Sequence, residues 1–315
     1  MQNISEPTGI VEVDEADALV PPSAVSSSPP PRDELAPASC PNCGAQFQGQ
    51  FCSNCGEKRV VSEDYSLRRF LGEAFNILTS VESNLFRSFA TLLTRPGRLT
   101  AEYFKGRRKS FLKPLQLFVF CNVIFFFAQT SVGFNSLTTP LYVHLSMLPH
   151  SRLASRMVDG ELRQRQIAYA DYRQRFDVAI EGQAKTLVIV MVPIFALLMG
   201  AFFWRTRRYY VEHLVFSTHF FAFFLLLVAA LNIGLRLVWR GERIVGINLP
   251  VLQSDAFGTL VMLSICAVYL FVALGRVYGQ GKIMRVFKCL ALVACIMVVL
   301  QLYRFILFFT TFYTL

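Results

Sequence analysis

From residue 114 onward the apolar side chains come in runs too long and too poor in charge for ordinary soluble helices. Apolar runs of about 18 or more residues match the hydrocarbon core of a bilayer. Five spans are expected, near 114–131, 185–204, 211–235, 256–275 and 289–310, the first being the shortest. The fold class that follows is an all-α polytopic membrane protein. Upstream the pattern changes. Leu67, Leu71, Ala74, Leu78, Val81, Leu85, Phe89 and Leu92 recur at steps of three and four, which makes one helical stripe. Arg68, Arg69, Glu73, Asn76 and Arg87 occupy other faces. No stretch in 60–112 is apolar enough to span, so this region is expected to lie on the membrane or on the bundle as one or two amphipathic helices. Arg-Pro-Gly at 95–97 should end the stripe, because Pro disfavours the α conformation in the residue before it.

Between the first two spans, residues 132–184 are rich in Gln, Arg and Ala and read as helix outside the bilayer. They show no catalytic constellation. His144 and His150 are separated by Pro149, so neither a regular helical pairing nor a metal site is expected there.

Composition agrees with the membrane class: 54% of residues are hydrophobic and 30 are Phe. Charge adds a direction. The net charge is +10, yet residues 1–39 hold seven acidic side chains and one basic, Arg32. That acidic, Pro- and Ser-rich stretch cannot build a packed core and reads as a disordered tail. The basic excess therefore sits in the remainder, where Lys and Arg beside spans set orientation and face anionic headgroups. It gives no reason to invoke nucleic acid. Its densest cluster is Lys105, Arg107, Arg108, Lys109 and Lys113, just before the first span. The cluster reads as a cytosolic flank, with an anionic-lipid pocket as the alternative. With the N-terminus inside, the cytosolic flanks hold fourteen basic residues and the outer loops and their edges ten. The acidic opening MQNISEPTGIVEVDEADALV lacks the apolar core of a secretory signal. The expected orientation is N-terminus cytosolic and C-terminus periplasmic.

Candidate chemistry begins at CPNCGAQFQGQFCSNCGEKR, residues 40–59. Cys40, Cys43, Cys52 and Cys55 are spaced C-x2-C-x8-C-x2-C, two thiolates from each of two tight turns. That is the tetrahedral all-sulfur set which one structural Zn2+ accepts, and thiolates favour a reducing compartment. Gly44 and Gly56 follow the second Cys of each pair and are suited to positive φ. Phe47 and Phe51 are expected to pack beside the metal. Cys121, Cys266, Cys289 and Cys295 stand singly in or beside apolar runs and read as buried small hydrophobes.

Ionisable groups within the spans are the other candidates. Glu212, His213 and His219 fall in the third span. Glu212 and His219 share a helical face, about 10 Å apart along the axis, while His213 points about 100° away from Glu212. Glu212 and His213 could cap the helix or meet the basic Arg-Thr-Arg-Arg at 205–208; Glu212 and His219 could form a proton or ligand site. Arg304 in the last span lies near its outer end and can snorkel. No nucleophile elbow, zinc-protease motif, phosphate loop or dinucleotide fingerprint occurs in a suitable context.

Three segments in order, CPNCGAQFQGQFCSNCGEKR, LLTRPGRLTAEYFKGRRKSFLKPLQLFVF and YYVEHLVFSTHFFAFFLLL, resemble an uncharacterised bacterial family of inner-membrane proteins. That family is a domain of unknown function in which a zinc ribbon precedes a multi-span region. The resemblance covers about residues 40–310 and implies an architecture and a zinc site, but no activity. The division is therefore a tail at 1–39, a ribbon at 40–59, amphipathic helices at 60–112 and a membrane domain at 113–315. The favoured function is a membrane-anchored adaptor with a cytosolic or membrane protein partner. A transporter using Glu212 and His219, or an enzyme acting on a lipid or lipid-linked substrate, are the alternatives.

Overall fold

A computed structural model describes residues 37–59, 84–132, 136–206, 208–245 and 254–315. Nearly all of the acidic tail lies outside these, as do Leu67, Leu71, Ala74, Leu78 and Val81 of the amphipathic stripe. In the ribbon, β1 (Ala38–Ser39) and β2 (Gln46–Phe47) pair antiparallel. The described helices are α1 (Leu85–Thr94), α2 (Arg98–Phe104), α3 (Pro114–Val132), α4 (Leu141–Ser146), α5 (Ser151–Arg165), α6 (Tyr169–Leu187), α7 (Met191–Phe202), α8 (Tyr210–Val245), α9 (Asp255–Tyr278) and α10 (Lys282–Thr314).

Five helical segments are long and apolar enough to cross a membrane: Pro114–Ser131, Tyr169–Phe202, Tyr210–Gly241, Ala256–Tyr278 and Lys282–Thr314. They match the five apolar runs, with one informative difference. The second begins at Tyr169 rather than near 185, because polar α6 passes through a 3-10 turn at Val188–Val190 straight into apolar α7. Hydropathy registers only the apolar half of this rod.

The bundle is organised around α8, where every residue from His213 to Leu225 is buried. Lipid tails are as apolar as Leu, so helices in a bilayer associate by close packing and polar contacts rather than by escape from water. Aromatic rings supply much of that packing. Phe223 stacks on Tyr269 of α9 at 3.8 Å between centroids, and Phe195 of α7 stacks on Phe220 at 5.2 Å and meets Phe221 edge-on. Such pairs contribute about 0.5–1.5 kcal/mol each beyond their area, which gives the Phe-rich composition a structural reason.

With 33 residues, α10 is about 50 Å long, against a hydrocarbon core of about 30 Å. Its C-terminal end is clothed by α5 and α6: Thr311 donates to the Gln183 side chain of α6 at 2.9 Å, Gln183 donates to Thr314, and Arg165 at the end of α5 reaches the Leu315 carbonyl. Helices α4 to α6 thus form a polar layer around that end.

At the opposite end α1 and α2 make a hairpin. Leu85, Phe89 and Leu92, the described part of the stripe, pack on the core. The turn falls at Arg-Pro-Gly as expected, and Gly97 does more than break the helix. Its φ is +75°, and a Cβ there would sit 2.7 Å from the Cα of Ala273 in α9. Arg276 of α9 donates to the Pro96 carbonyl beside it. Farther along, the Ser88 hydroxyl accepts from Leu112 N at 2.9 Å, and the Asn84 amide donates to the Lys109 carbonyl at 2.9 Å. The hairpin thereby fixes the basic loop that leads into α3.

Gly97→Ala combines a strained left-handed backbone with a clash against α9 and should destabilise the chain by about 1–3 kcal/mol. In detergent its unfolding temperature should fall clearly below wild type. Gly160→Ala, with open space around its Cβ, should cause no such fall.

Candidate metal centre

The two halves of the cysteine motif fold as equivalent knuckles. Cys40 N donates to Ala45 O and Gly44 N to Cys40 O; likewise Cys52 N donates to Glu57 O and Gly56 N to Cys52 O. Gly44 and Gly56 have φ of +79° and +68°, the turn that folds each backbone over its sulfurs. Phe47 is buried beside Cys40 and Cys52, whereas Phe51 is 58% exposed and forms no part of that core. Phe51 pairs through its backbone with Lys58, which turns its ring outward.

The four sulfurs lie within 4.8 Å of one another. Cys40 and Cys55 are 3.5 Å apart and Cys43 and Cys52 3.7 Å, too far for disulfides. A metal–sulfur bond of about 2.3 Å gives a tetrahedron edge of about 3.8 Å, so the donor set fits one tetrahedral metal ion. Without metal the thiols are unequal. The Asn42 side chain, then the Glu57 backbone N–H, lower Cys55 to about 6, while burial pushes Cys40 up to about 11. All four are thiolates when a metal is bound.

The site's setting includes a residue that the cysteine pattern does not reveal. Glu57 is buried, and its carboxylate accepts the backbone N–H of Arg108 at 3.2 Å and of Lys109 at 2.9 Å. Around it, Arg107 Nε donates to the Pro41 carbonyl at 2.6 Å, Lys109 Nζ to the Cys55 carbonyl, and Ser110 to the Asn42 side chain at 3.0 Å. Arg107 also pairs with Glu102 at 3.0 Å, Lys105 lies 3.6 Å from the same carboxylate, and Arg108 covers the Tyr103 ring. Arg107, Arg108 and Lys109 of the basic cluster are thus engaged with the ribbon or with α2; Lys113 is exposed at the entry to α3. Four thiolates on a divalent ion carry two net negative charges, which these cations complement.

The candidates within the third span are dispersed among separate partners. Glu212 accepts from Tyr209 N and from Arg208 Nη1, each at 3.0 Å, so it caps the start of α8. Arg208 also donates to the Val277 carbonyl and lies over the rings of Phe104 and Tyr278, joining α2, α8 and α9. His213 bonds the Tyr278 hydroxyl at 2.8 Å. His219 bonds Thr100 of the hairpin at 2.9 Å, both residues being buried. The shared face of Glu212 and His219 is therefore used by two different contacts.

The structure also brings together two residues that sequence spacing kept apart. α4 stops at Ser146, and the turn 147–150 folds His150 back so that its Nε2 lies 3.0 Å from His144 Nδ1. Burial first, then His150 and the Arg304 guanidinium, hold His144 down to about 3, so it is neutral. Cys121, Cys266 and Cys289 are buried as expected, and Cys295 partly so.

A family model described as a protein of unknown function (DUF3667) matches residues 82–126, the hairpin, the basic loop and the first part of α3. No curated protein and no solved structure matches the chain.

The full chain, purified without chelator, should carry one metal ion held by sulfur. Cys43→Ser should lose it and unfold the ribbon, since metal binding supplies the folding energy of so small a core. Elemental analysis finding almost no metal in wild type would contradict this.

Proposed function

We propose that the protein is a membrane-anchored adaptor whose ribbon holds one structural zinc ion at the cytosolic face of a bacterial inner membrane. The observation that carries this reading is the combination of a closed site with a fixed mount. Four cysteines leave no open position for substrate on a tetrahedral ion. The same ribbon is tied through Glu57, Pro41 and Cys55 to the loop that enters the first span. Zinc fits the all-thiolate donor set, and a reducing cytosol keeps the thiolates available.

The polar groups of α8 support anchoring over transport. Glu212, His213 and His219 each tie α8 to a neighbouring segment: the Arg208 turn, α9 and the hairpin. The partner is proposed to be a cytosolic or membrane protein rather than nucleic acid. Exposed Phe51 marks the outward face of the ribbon, and an exposed aromatic is a residue type enriched at protein interfaces. The basic excess near the spans supports the N-in, C-out orientation.

Two measurements test this reading. A reporter active only outside the cytosol should be silent when fused near residue 59, active within α5 near Gly160 and active after Leu315. Silence at Gly160 would overturn the orientation. A photo-crosslinker at Phe51 should capture a discrete protein in living cells, and Cys43→Ser should abolish capture. Capture that survives loss of the ribbon's metal would show that the ribbon does not present the binding surface.

A further inference from the structure

The α1–α2 hairpin sits deeper than its polar turn suggests. Arg208, just before α8, donates to the Val277 carbonyl near the end of α9, so these two helix ends lie level with each other. Exposed Trp204 and Tyr209 stand there beside Arg205 and Arg208, the aromatic and cationic residue types that mark a bilayer interface. The hairpin enters and leaves at this level. Asn84 at the start of α1 bonds the Lys109 carbonyl, in the loop that precedes α3, and the Arg208 guanidinium covers the ring of Phe104 at the end of α2. Its turn lies lower. Gly97 packs on Ala273, and its backbone meets the Tyr269 hydroxyl. These two residues precede the end of α9 at Tyr278 by five and nine positions, about 7 and 13 Å along the helix axis. Thr100 bonds His219, nine positions or about 13 Å inside the start of α8 at Tyr210. The turn is therefore about 7–13 Å below the helix ends, within a leaflet whose hydrocarbon half is about 15 Å thick.

Non-helical backbone is tolerated at such a depth only where its polar groups are met inside the protein. Here they are. Arg95 N donates to Thr91 O, Arg98 N to Arg95 O and Ala101 N to Gly97 O, and the Pro96 carbonyl accepts from Arg276. Pro96 has no N–H to satisfy. The outward side of α1 is apolar to match. Phe86, Ala90 and Leu93 recur at steps of four and three, beside the stripe that packs on the core, and all three are exposed, Phe86 by 85%. The exposed Thr94 hydroxyl turns back onto the Ala90 carbonyl at 2.6 Å. The only charge within α1, Arg87, is near its upper end. Arg95 and Arg98 at the turn have long stems of the kind that snorkel toward the headgroups.

We propose that the hairpin is a re-entrant element that dips into the leaflet on the ribbon's side, with Phe86, Ala90 and Leu93 against acyl chains. Lipid is the occupant because this apolar face lies at the depth of the spans on which the hairpin packs. α2 leads directly into the loop that carries the ribbon, so the insertion holds the ribbon close to the headgroups. The proposal rests on the spans lying in a bilayer and not on the adaptor reading.

The test is tryptophan quenching in the full chain, reconstituted in phosphatidylcholine vesicles. Phe86→Trp and Leu93→Trp are made separately in a background of Trp204→Phe and Trp239→Phe, so that each variant has one reporter, at an exposed position. Metal content and unfolding temperature report folding, and each site is read on its own, so one folded variant suffices. Leu93→Trp should lose most of its emission to lipid brominated near the middle of the acyl chains. Phe86→Trp should lose more to lipid brominated near the headgroup end. Acrylamide in the water should quench either variant only weakly. Strong quenching by acrylamide without loss to brominated lipid would place the hairpin in water and overturn the proposal. Resistance to both quenchers would overturn it as well, showing that protein covers the face, whether residues 60–83 or a second copy of the chain.

Discussion

One buried carboxylate joins the two parts of this protein. Glu57 ends the ribbon's second knuckle, and both its oxygens are used by main-chain donors of the basic loop. A buried charge is tolerated only where it is paired and hydrogen-bonded. Here the donors come from Arg108 and Lys109, whose loop is pinned on its other side by Asn84 and Ser88. The ribbon's orientation, the course of the loop and the entry of α3 into the bundle are thus set together. Each knuckle is held in shape by its turn, and a metal ion on its four thiolates would hold the two together, so the geometry that presents Glu57 would depend on that metal.

The same economy of single polar contacts recurs within the bundle. From His213 to Leu225 α8 is surrounded by protein, and its two histidines each bond one neighbouring segment, while the buried Ser217 hydroxyl has no hydrogen-bond partner among the described residues. Thr100 meets His219, Tyr278 meets His213, and Arg208 joins three helices. These contacts give the hairpin a defined seat on α8 and α9, with Gly97 allowing the closest approach.

The features legible in the sequence were those with a local or periodic signature. The five spans follow from apolar run length, the ribbon from cysteine spacing and the end of α1 from Arg-Pro-Gly. The stripe of Leu85, Phe89 and Leu92 gave the buried face of α1 directly. What was not legible depends on contacts distant in sequence. Nothing in Gly-Glu-Lys-Arg at 56–59 shows that Glu57 will meet main-chain groups fifty residues on, and nothing near Thr100 points to His219. The helical-face argument placed Glu212 and His219 together along one face of α8, but each is bound by a different neighbour. His144 and His150 were judged by helical spacing, while the chain joins them through a turn. Phe51 was expected in the ribbon core, yet a single backbone bridge to Lys58 turns its ring outward.

Amide hydrogen exchange across residues 105–113 of the full chain, before and after metal removal, tests the ribbon-to-membrane coupling most directly. With metal bound, the amides of Arg108 and Lys109 should exchange slowly, because they are held by Glu57. Removing the metal should release both, while the amide of Leu112, held by Ser88 of the hairpin, stays protected. Exchange at Arg108 and Lys109 that is unchanged by metal removal would contradict the account, since the ribbon's fold would then have no hold on the loop.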